Sequence, residues 1–105
     1  SKELATVYFE LAPGDNLGRH TDSAEELLIV LEGNVEATVG KEKITASKNS
    51  IVLVPQMMPH DIKNTGNGPV KVLGVFGGAS NIVATFDKAM LPTGTNVVDT
   101  ALLFQ

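Results

Sequence analysis

A chain of 105 residues, 43% of them apolar and 19% charged, is long enough for one domain with one core and too short for two. Eight basic against twelve acidic side chains leave a formal net charge of −4, with no basic patch to recommend a nucleic acid or an anionic membrane surface as partner. Cysteine is absent, which excludes a disulfide framework, a thiolate nucleophile and a thiolate metal site, and no window reaches the length of a membrane span.

Residues 1–4 lack the apolar stretch of a secretory signal, so a cytoplasmic protein is expected. Four phenylalanines and one tyrosine oblige the core to be built from Val, Leu and Ile, which favours sheet. Residues 5–11 (ATVYFEL) read as a first strand, stopped by the turn signal Pro13-Gly14. A polar loop at 15–18 leads to a short strand over 19–22, and 23–25 reads as a turn. The run Leu27-Leu28-Ile29-Val30-Leu31 leaves no polar face for a helix, and Gly33 ends it early, so it reads as a buried strand. Gly33-Asn34 predicts a tight bend, after which 35–40 and 42–46 alternate like successive hairpin arms around Gly40-Lys41.

Residues 51–54 form a short buried strand closed by Pro55. With two prolines, 55–60 is expected to be a fixed loop that presents His60. A short segment at 61–64, a turn at 65–69, a clear strand at 70–76 and a further strand at 82–86 follow, then a single helical turn at 87–91 and a short strand at 97–98. Short strands about every ten residues, with no long helix, indicate a β-sandwich or barrel. The whole chain, 1–105, is expected to be one domain, with 92–105 as a C-terminal tail or a dimer contact, because Leu102, Leu103 and Phe104 are apolar enough to require burial.

The two histidines each adjoin a strand. Residues two apart on a strand face the same way, so His20 and Asp22 project together, Glu26 follows a turn able to fold the next strand beside them, and His60 arrives from a distant segment. Two imidazoles with one or two carboxylates suit a five- or six-coordinate divalent cation such as Fe, Mn, Ni or Zn, with positions left open for water or substrate. Glu26, a carboxylate at the edge of an apolar run, needs either solvent or a partner. Asp22 and Glu25 also read as solvated turn residues. Met57 and Met58 are candidates to line a pocket, although core packing is the more usual use of methionine. Arg19 is expected on the face opposite His20, as a surface or ion-pair residue.

These spacings resemble the cupin family. Its first motif is a glycine, five residues, His-x-His, three or four residues, a glutamate, six residues and a glycine; here it reads Gly14, His20-Thr21-Asp22, Glu26 and Gly33, with Asp22 in place of the second histidine. Its second motif is a glycine, five residues, Pro-x-Gly, two residues, a histidine, three residues and an asparagine. Here Asn49, Pro55-Gln56-Met57, His60 and Asn64 stand in those places, with both glycines lost. The resemblance implies an all-β jelly-roll barrel (double-stranded β-helix), often a homodimer, with a metal held by His20, Glu26 and His60 and with Asp22 as a fourth ligand or a non-ligating replacement. It implies further that Met57, in the place of a glycine, narrows the entrance, and that Asn64 joins Met57 and Met58 in lining the pocket. The function expected is a metal-dependent enzyme acting on a small polar molecule, as a dioxygenase, isomerase, decarboxylase or lyase, with Glu25 or Asp22 as acid or base; the alternative is a non-catalytic domain that binds or senses a small ligand.

Overall fold

The alternating stretches become ten strands in the computed structural model, which describes residues 4–78 and 82–87 and the backbone of 97–99. They are β1 (Leu4–Leu11), β2 (His20–Asp22), β3 (Glu26–Glu32), β4 (Asn34–Val39), β5 (Glu42–Ser47), β6 (Ile51–Val54), β7 (His60–Asn64), β8 (Val70–Gly77), β9 (Val83–Phe86) and β10 (Val97–Asp99). They form a four-stranded sheet in the order β1-β8-β3-β6 and a six-stranded sheet in the order β10-β9-β2-β7-β4-β5. Neighbours pair antiparallel throughout.

One apolar core joins the sheets: Leu28, Val30, Val52, Val54, Val70 and Val72 from the smaller meet Val35, Ala37, Ala46 and Ile62 from the larger. Each large aliphatic side chain buried this way contributes roughly 1.5–3 kcal/mol. A second cluster contains Ala24, Phe76 and Ile82. In the strand register Glu26 pairs with Val54 on one side and Phe76 on the other, so a carboxylate stands where the two clusters meet.

Two expectations about connectivity are corrected. The 35–40 and 42–46 segments do form a hairpin, β4 with β5, but the bend at Gly33 joins no hairpin: β3 pairs with β6 and β8, whereas β4 pairs with β5 and β7. The chain changes sheets there. Gly33 is needed for the crossing, since its φ is +93° and a Cβ would stand 2.7 Å from Val70 Cγ2 and 2.8 Å from Pro69 O. For the same reason β3 does not fold beside β2; it lies in the facing sheet. The 23–25 turn between them is pinned by Ser23, whose Oγ accepts from Val83 N–H at 2.9 Å.

His60 is the other correction. It is not carried on the proline loop but is the first residue of β7, paired with both His20 and Val39. The prolines occupy a turn just before the strand, so they remove no ladder hydrogen bond from it. Of the helical turn expected at 87–91, only Asp87 lies within the described residues; most of the 92–105 tail lies outside them, and the strand expected at 97–98 is β10.

Candidate metal centre

Phe86, His20, His60 and Val39 form one cross-strand row over β9, β2, β7 and β4. Phe86 stacks on the His20 ring with centroids 4.5 Å apart, and the two imidazole centroids are 4.1 Å apart. Asp22, two residues beyond His20 on the same strand, shares its face. Glu26 reaches the same place from the opposite sheet. His20, Asp22, Glu26 and His60 are all buried, with at most 4% of their surface exposed.

Both imidazoles are oriented in the same way. Nδ1 of His20 lies 2.7 Å from Gly18 O, and Nδ1 of His60 lies 2.8 Å from Met58 O. A carbonyl only accepts, so each Nδ1 carries a proton and each ring turns Nε2, the atom whose lone pair a further proton or a metal can take, into the site. Those lone pairs converge on an acceptor: Asp22 Oδ2 is 3.4 Å from His20 Nε2 and 3.1 Å from His60 Nε2, while Glu26 Oε1 is 3.5 Å from His60 Nε2. Asp22 Oδ2 and His60 Nε2 are buried without a well-formed hydrogen bond. Facing acceptors in an apolar interior require a cation between them.

A proton can serve. Burial alone would lower the His60 pKa and raise that of Asp22, but their mutual attraction wins: His60 is pushed up to about 10, with help from Glu26, and Asp22 is held at about 2. Glu26 moves the other way. Burial raises its pKa, and the neighbouring Asp22 charge adds to the rise. A divalent metal ion is the other candidate, because the donor atoms of His20, Asp22 and His60 all lie within 4.8 Å of one another. Glu26 does not join that group. Two imidazoles and one carboxylate suit Fe, Mn, Ni or Zn rather than Mg or Ca.

The matching family is the cupin domain, over residues 7–76. The chain belongs to the cupin family. An uncharacterized protein of Methanocaldococcus jannaschii is 37% identical to this cupin over 72 residues, which is 69% of the chain and 57% of that relative's length. Solved structures share its fold. A cupin with a double-stranded β-helix from the same archaeon matches with a TM-score of 0.70 at 18% identity, covering 75% of this chain and 73% of that one. A protein described as a sugar phosphate isomerase, from Silicibacter pomeroyi, matches with a TM-score of 0.69 at 18% identity, covering 92% and 66%. The all-β jelly-roll architecture is thereby shown.

The remaining residues singled out in this cupin's sequence fall elsewhere. Glu25 is exposed, and its backbone O accepts from Gly77 N–H at 3.1 Å. Met57 is exposed at a turn with φ +61°, and its N–H donates to Asp22 O at 2.9 Å. Met58 packs against the main core. Asn64 is buried as a clasp: Nδ2 donates to Leu11 O at 3.0 Å and Gly68 O at 2.8 Å, and Oδ1 accepts from Gly66 N–H at 2.9 Å. Arg19 points away from the site and pairs with Asp87 at 3.7 Å.

Sequence reasoning missed two contributors. Phe86 was readable only as an apolar strand residue, although its stacking fixes His20. Gly74 was hidden inside a strand. It faces inward between Val72 and Phe76, and a Cβ there would collide with Glu26 Oε2.

Proposed function

We propose that this cupin is a mononuclear metal-dependent enzyme acting on a small, oxygen-rich polar molecule. His20, Asp22 and His60 would hold the cation. The observation carrying this reading is the convergence of two tautomer-fixed Nε2 atoms on the otherwise unsatisfied Oδ2 of Asp22. A set of two histidines and one carboxylate leaves coordination positions open and is the donor set of non-haem Fe(II) oxygenases, which makes Fe(II) the first candidate. When bound, such a metal supplies Lewis acidity toward a substrate carbonyl or enolate and, if iron, redox chemistry.

The chain's own groups do the rest. Glu26, whose pKa is raised by burial, places a carboxyl oxygen 3.5 Å from His60 Nε2, where it can exchange a proton with a bound substrate. Phe86 holds the His20 ring in place. Val7 lies opposite Gly74 in the inward row of β1 yet stays 42% exposed, so it supplies an apolar approach on the Glu26 side.

The outer face of the four-stranded sheet supports a homodimer. Leu4, Tyr8, Leu27, Ile51 and Leu53 are 40–63% exposed there, with Ile29, Leu73 and Val75 half-buried among them. At roughly 200 Å² for each large side chain, those five alone leave on the order of 500 Å² of apolar surface, most of the ~800 Å² that one partner gives to a stable interface. A second copy is the occupant proposed, because so apolar a centre, with Glu10, Glu32 and Lys71 confined to one end, matches homodimer composition. No helix among the described residues is long and apolar enough to cross a membrane.

Elemental mass spectrometry of untagged protein, wild type and His60→Ala in parallel, tests the metal reading. About one equivalent of Fe, Mn, Ni or Zn per chain, lost in the variant, is expected. Less than about a tenth of an equivalent in wild type, after anaerobic incubation with these ions, would favour a proton-held pair in a non-catalytic ligand-binding domain.

A further inference from the structure

Each imidazole of the candidate centre gives its Nδ1–H to a carbonyl two residues earlier in the chain, and the two carbonyls are held in different ways. Met58 O, which serves His60, lies in a turn fixed by backbone bonds: Met58 N–H donates to Pro55 O at 3.1 Å, and Gly40 N–H donates to Pro59 O at 2.8 Å. Gly18 O, which serves His20, ends a loop laid along β7, where Asn64 N–H donates to Asp15 O at 2.9 Å and Leu17 N–H to Ile62 O at 2.9 Å. One residue further on, a side chain takes over. Gly18 N–H donates to Asp61 Oδ1 at 2.8 Å.

Asp61 follows His60 on β7, so its carboxylate stands on the opposite, outer face of the sheet, where it lines a groove with Glu36, Thr38 and Lys63. Both of its oxygens are used: Oδ1 also accepts from Ile62 N–H at 2.8 Å, and Oδ2 accepts from Asn16 Nδ2–H at 2.8 Å. Gly18 has φ +110°, a backbone shape that glycine adopts freely, and its N–H and C=O flank a single α-carbon. So permissive a residue needs an outside hold to keep its carbonyl aimed. Asp61 holds the N–H, and the C=O then meets His20 Nδ1 at 2.7 Å.

The geometry points to Asp61 as a positioning residue: from the outer face of β7 it clasps Gly18, sets the carbonyl that orients the His20 ring and so aims His20 Nε2 at the metal position. This rests on reading His20, Asp22 and His60 as a metal centre. The stacking of Phe86 restrains the tilt of the His20 ring, whereas its sliding within its own plane, which decides where Nε2 points, is left to the Nδ1 bond. A carboxylate suits the clasp, because a hydrogen bond to an ionised acceptor is stronger than one between neutral groups.

The test follows the ring Nδ1–H resonances of His20 and His60 in the metal-free protein, together with Co(II) affinity, in wild type, Asp61→Ala, Asp61→Asn and Asn16→Ala. In Asp61→Ala the His20 Nδ1–H is expected to exchange with water about tenfold faster, the scale of one lost hydrogen bond to a charged group, while that of His60 is unchanged. Co(II) binding is expected to weaken about tenfold in the same variant, as for other partners that orient a ligating histidine. Asp61→Asn keeps an oxygen for Gly18 N–H and Ile62 N–H and, with the Asn16 amide turned over, is expected to stay within about threefold of wild type in both readouts. Asn16→Ala removes one bond to Asp61 but not the clasp on Gly18, and is expected to leave the His20 Nδ1–H as it was.

An undisturbed His20 Nδ1–H in Asp61→Ala overturns the proposal, whatever Co(II) does. So does an equal disturbance of both histidines, which would mark a general loosening of the sheet, or a Co(II) affinity that Asp61→Ala leaves unchanged, or an Asp61→Asn as defective as Asp61→Ala, or an Asn16→Ala that disturbs His20 as much. Wild type that binds no Co(II), but whose His20 Nδ1–H alone is disturbed in Asp61→Ala, sinks the metal reading and leaves Asp61 as the residue that orients His20. Should Asp61→Ala fail to fold, Asp61→Glu carries the test, because its longer arm keeps the charge but moves the oxygens off Gly18 N–H; the same loss confined to His20 is expected. Failure of both to fold would make Asp61 a support of the whole domain and overturn the assignment.

Discussion

Asp22 Oδ2 and His60 Nε2 stand 3.1 Å apart in a buried site, and with His60 Nδ1 keeping its proton on Met58 O they can bond only through an added cation, a second proton on the ring or a metal ion. The pair is therefore an incomplete arrangement that a cation completes. Asp22→Asn separates the two ways of completing it. The amide has the same shape, and its Nδ2–H can donate to the His60 lone pair without any cation. The variant is expected to lose Fe(II) or Co(II) affinity by at least about a hundredfold, because a ligand loss costs more than an outer-shell change. Its metal-free form should melt lower than wild type near neutral pH, since the buried charge that pairs with protonated His60 has been removed. Competition titration and thermal unfolding on the same samples check both halves; retained affinity would remove Asp22 from the ligand set.

Proton and metal compete for the same nitrogen. With its pKa pushed up to about 10 by Asp22 and Glu26 against the opposing effect of burial, His60 is protonated in the metal-free protein at neutral pH. Metal binding at pH 7–8 is expected to release about one proton from it, and affinity should rise roughly tenfold per pH unit up to about pH 10. Calorimetric titration in buffers of different ionisation enthalpy reads the released proton directly.

The stability of the metal-free protein follows from the same two groups. A raised His60 pKa gives stability that is fully present below its unfolded value near 6.5 and is lost as pH rises through about 10. A depressed Asp22 pKa gives stability that is present above about 3.8 and is lost as pH falls through about 2. The unfolding midpoint should be highest in the acidic range between about 3.8 and 6.5 and fall on both sides, with the raised Glu26 pKa adding to the fall as pH rises. A profile unchanged in His60→Ala would contradict the linkage.

Met57 carries φ +61° where a glycine would rest without strain. Its side chain is 56% exposed, so little burial is at stake, and its N–H bond to Asp22 O involves only backbone. Left-handed backbone costs a non-glycine residue about 1–2 kcal/mol, and glycine gives back about 0.5–1 kcal/mol through the unfolded chain. Met57→Gly is expected to stabilise by up to about 1 kcal/mol, or roughly 4–8 °C in Tm. A lower Tm would mean that the thioether makes a contact worth more than the strain.

Much of this was legible because it is local. The His20-x-Asp22 pair is set by strand periodicity, and the apolar run after Glu26 marks β3 as buried on one face at least. What was not legible depends on pairing. A bend at Gly33 says that the chain turns but not into which sheet, so β3 was expected to lie beside β2 although it faces it. Two prolines before His60 argued for a loop, yet they end one residue before the ladder begins. The carbonyls that fix both imidazole tautomers, the stacking of Phe86 and the gap at Gly74 have no sequence signature, because each is made by a register between distant strands. Asn64 matched a family position, but its hydrogen bonds close the 64–68 turn and hold Leu11.

The sequence of β3 and β6 is apolar on both faces, as in strands covered on both sides, whereas a single copy covers only one. Leu53 lies on the outer face, 53% exposed, so a charge there stays in contact with solvent in one copy. Leu53→Asp should leave the stability of an isolated subunit within about 0.5 kcal/mol, as surface substitutions usually do. In a dimer closed by a two-fold axis the same change is made in both partners, and each buries a carboxylate in an apolar centre. Sedimentation equilibrium is expected to find a wild-type dimer and a Leu53→Asp monomer. A wild type that stays monomeric at high concentration would overturn the second copy as the occupant of the outer face.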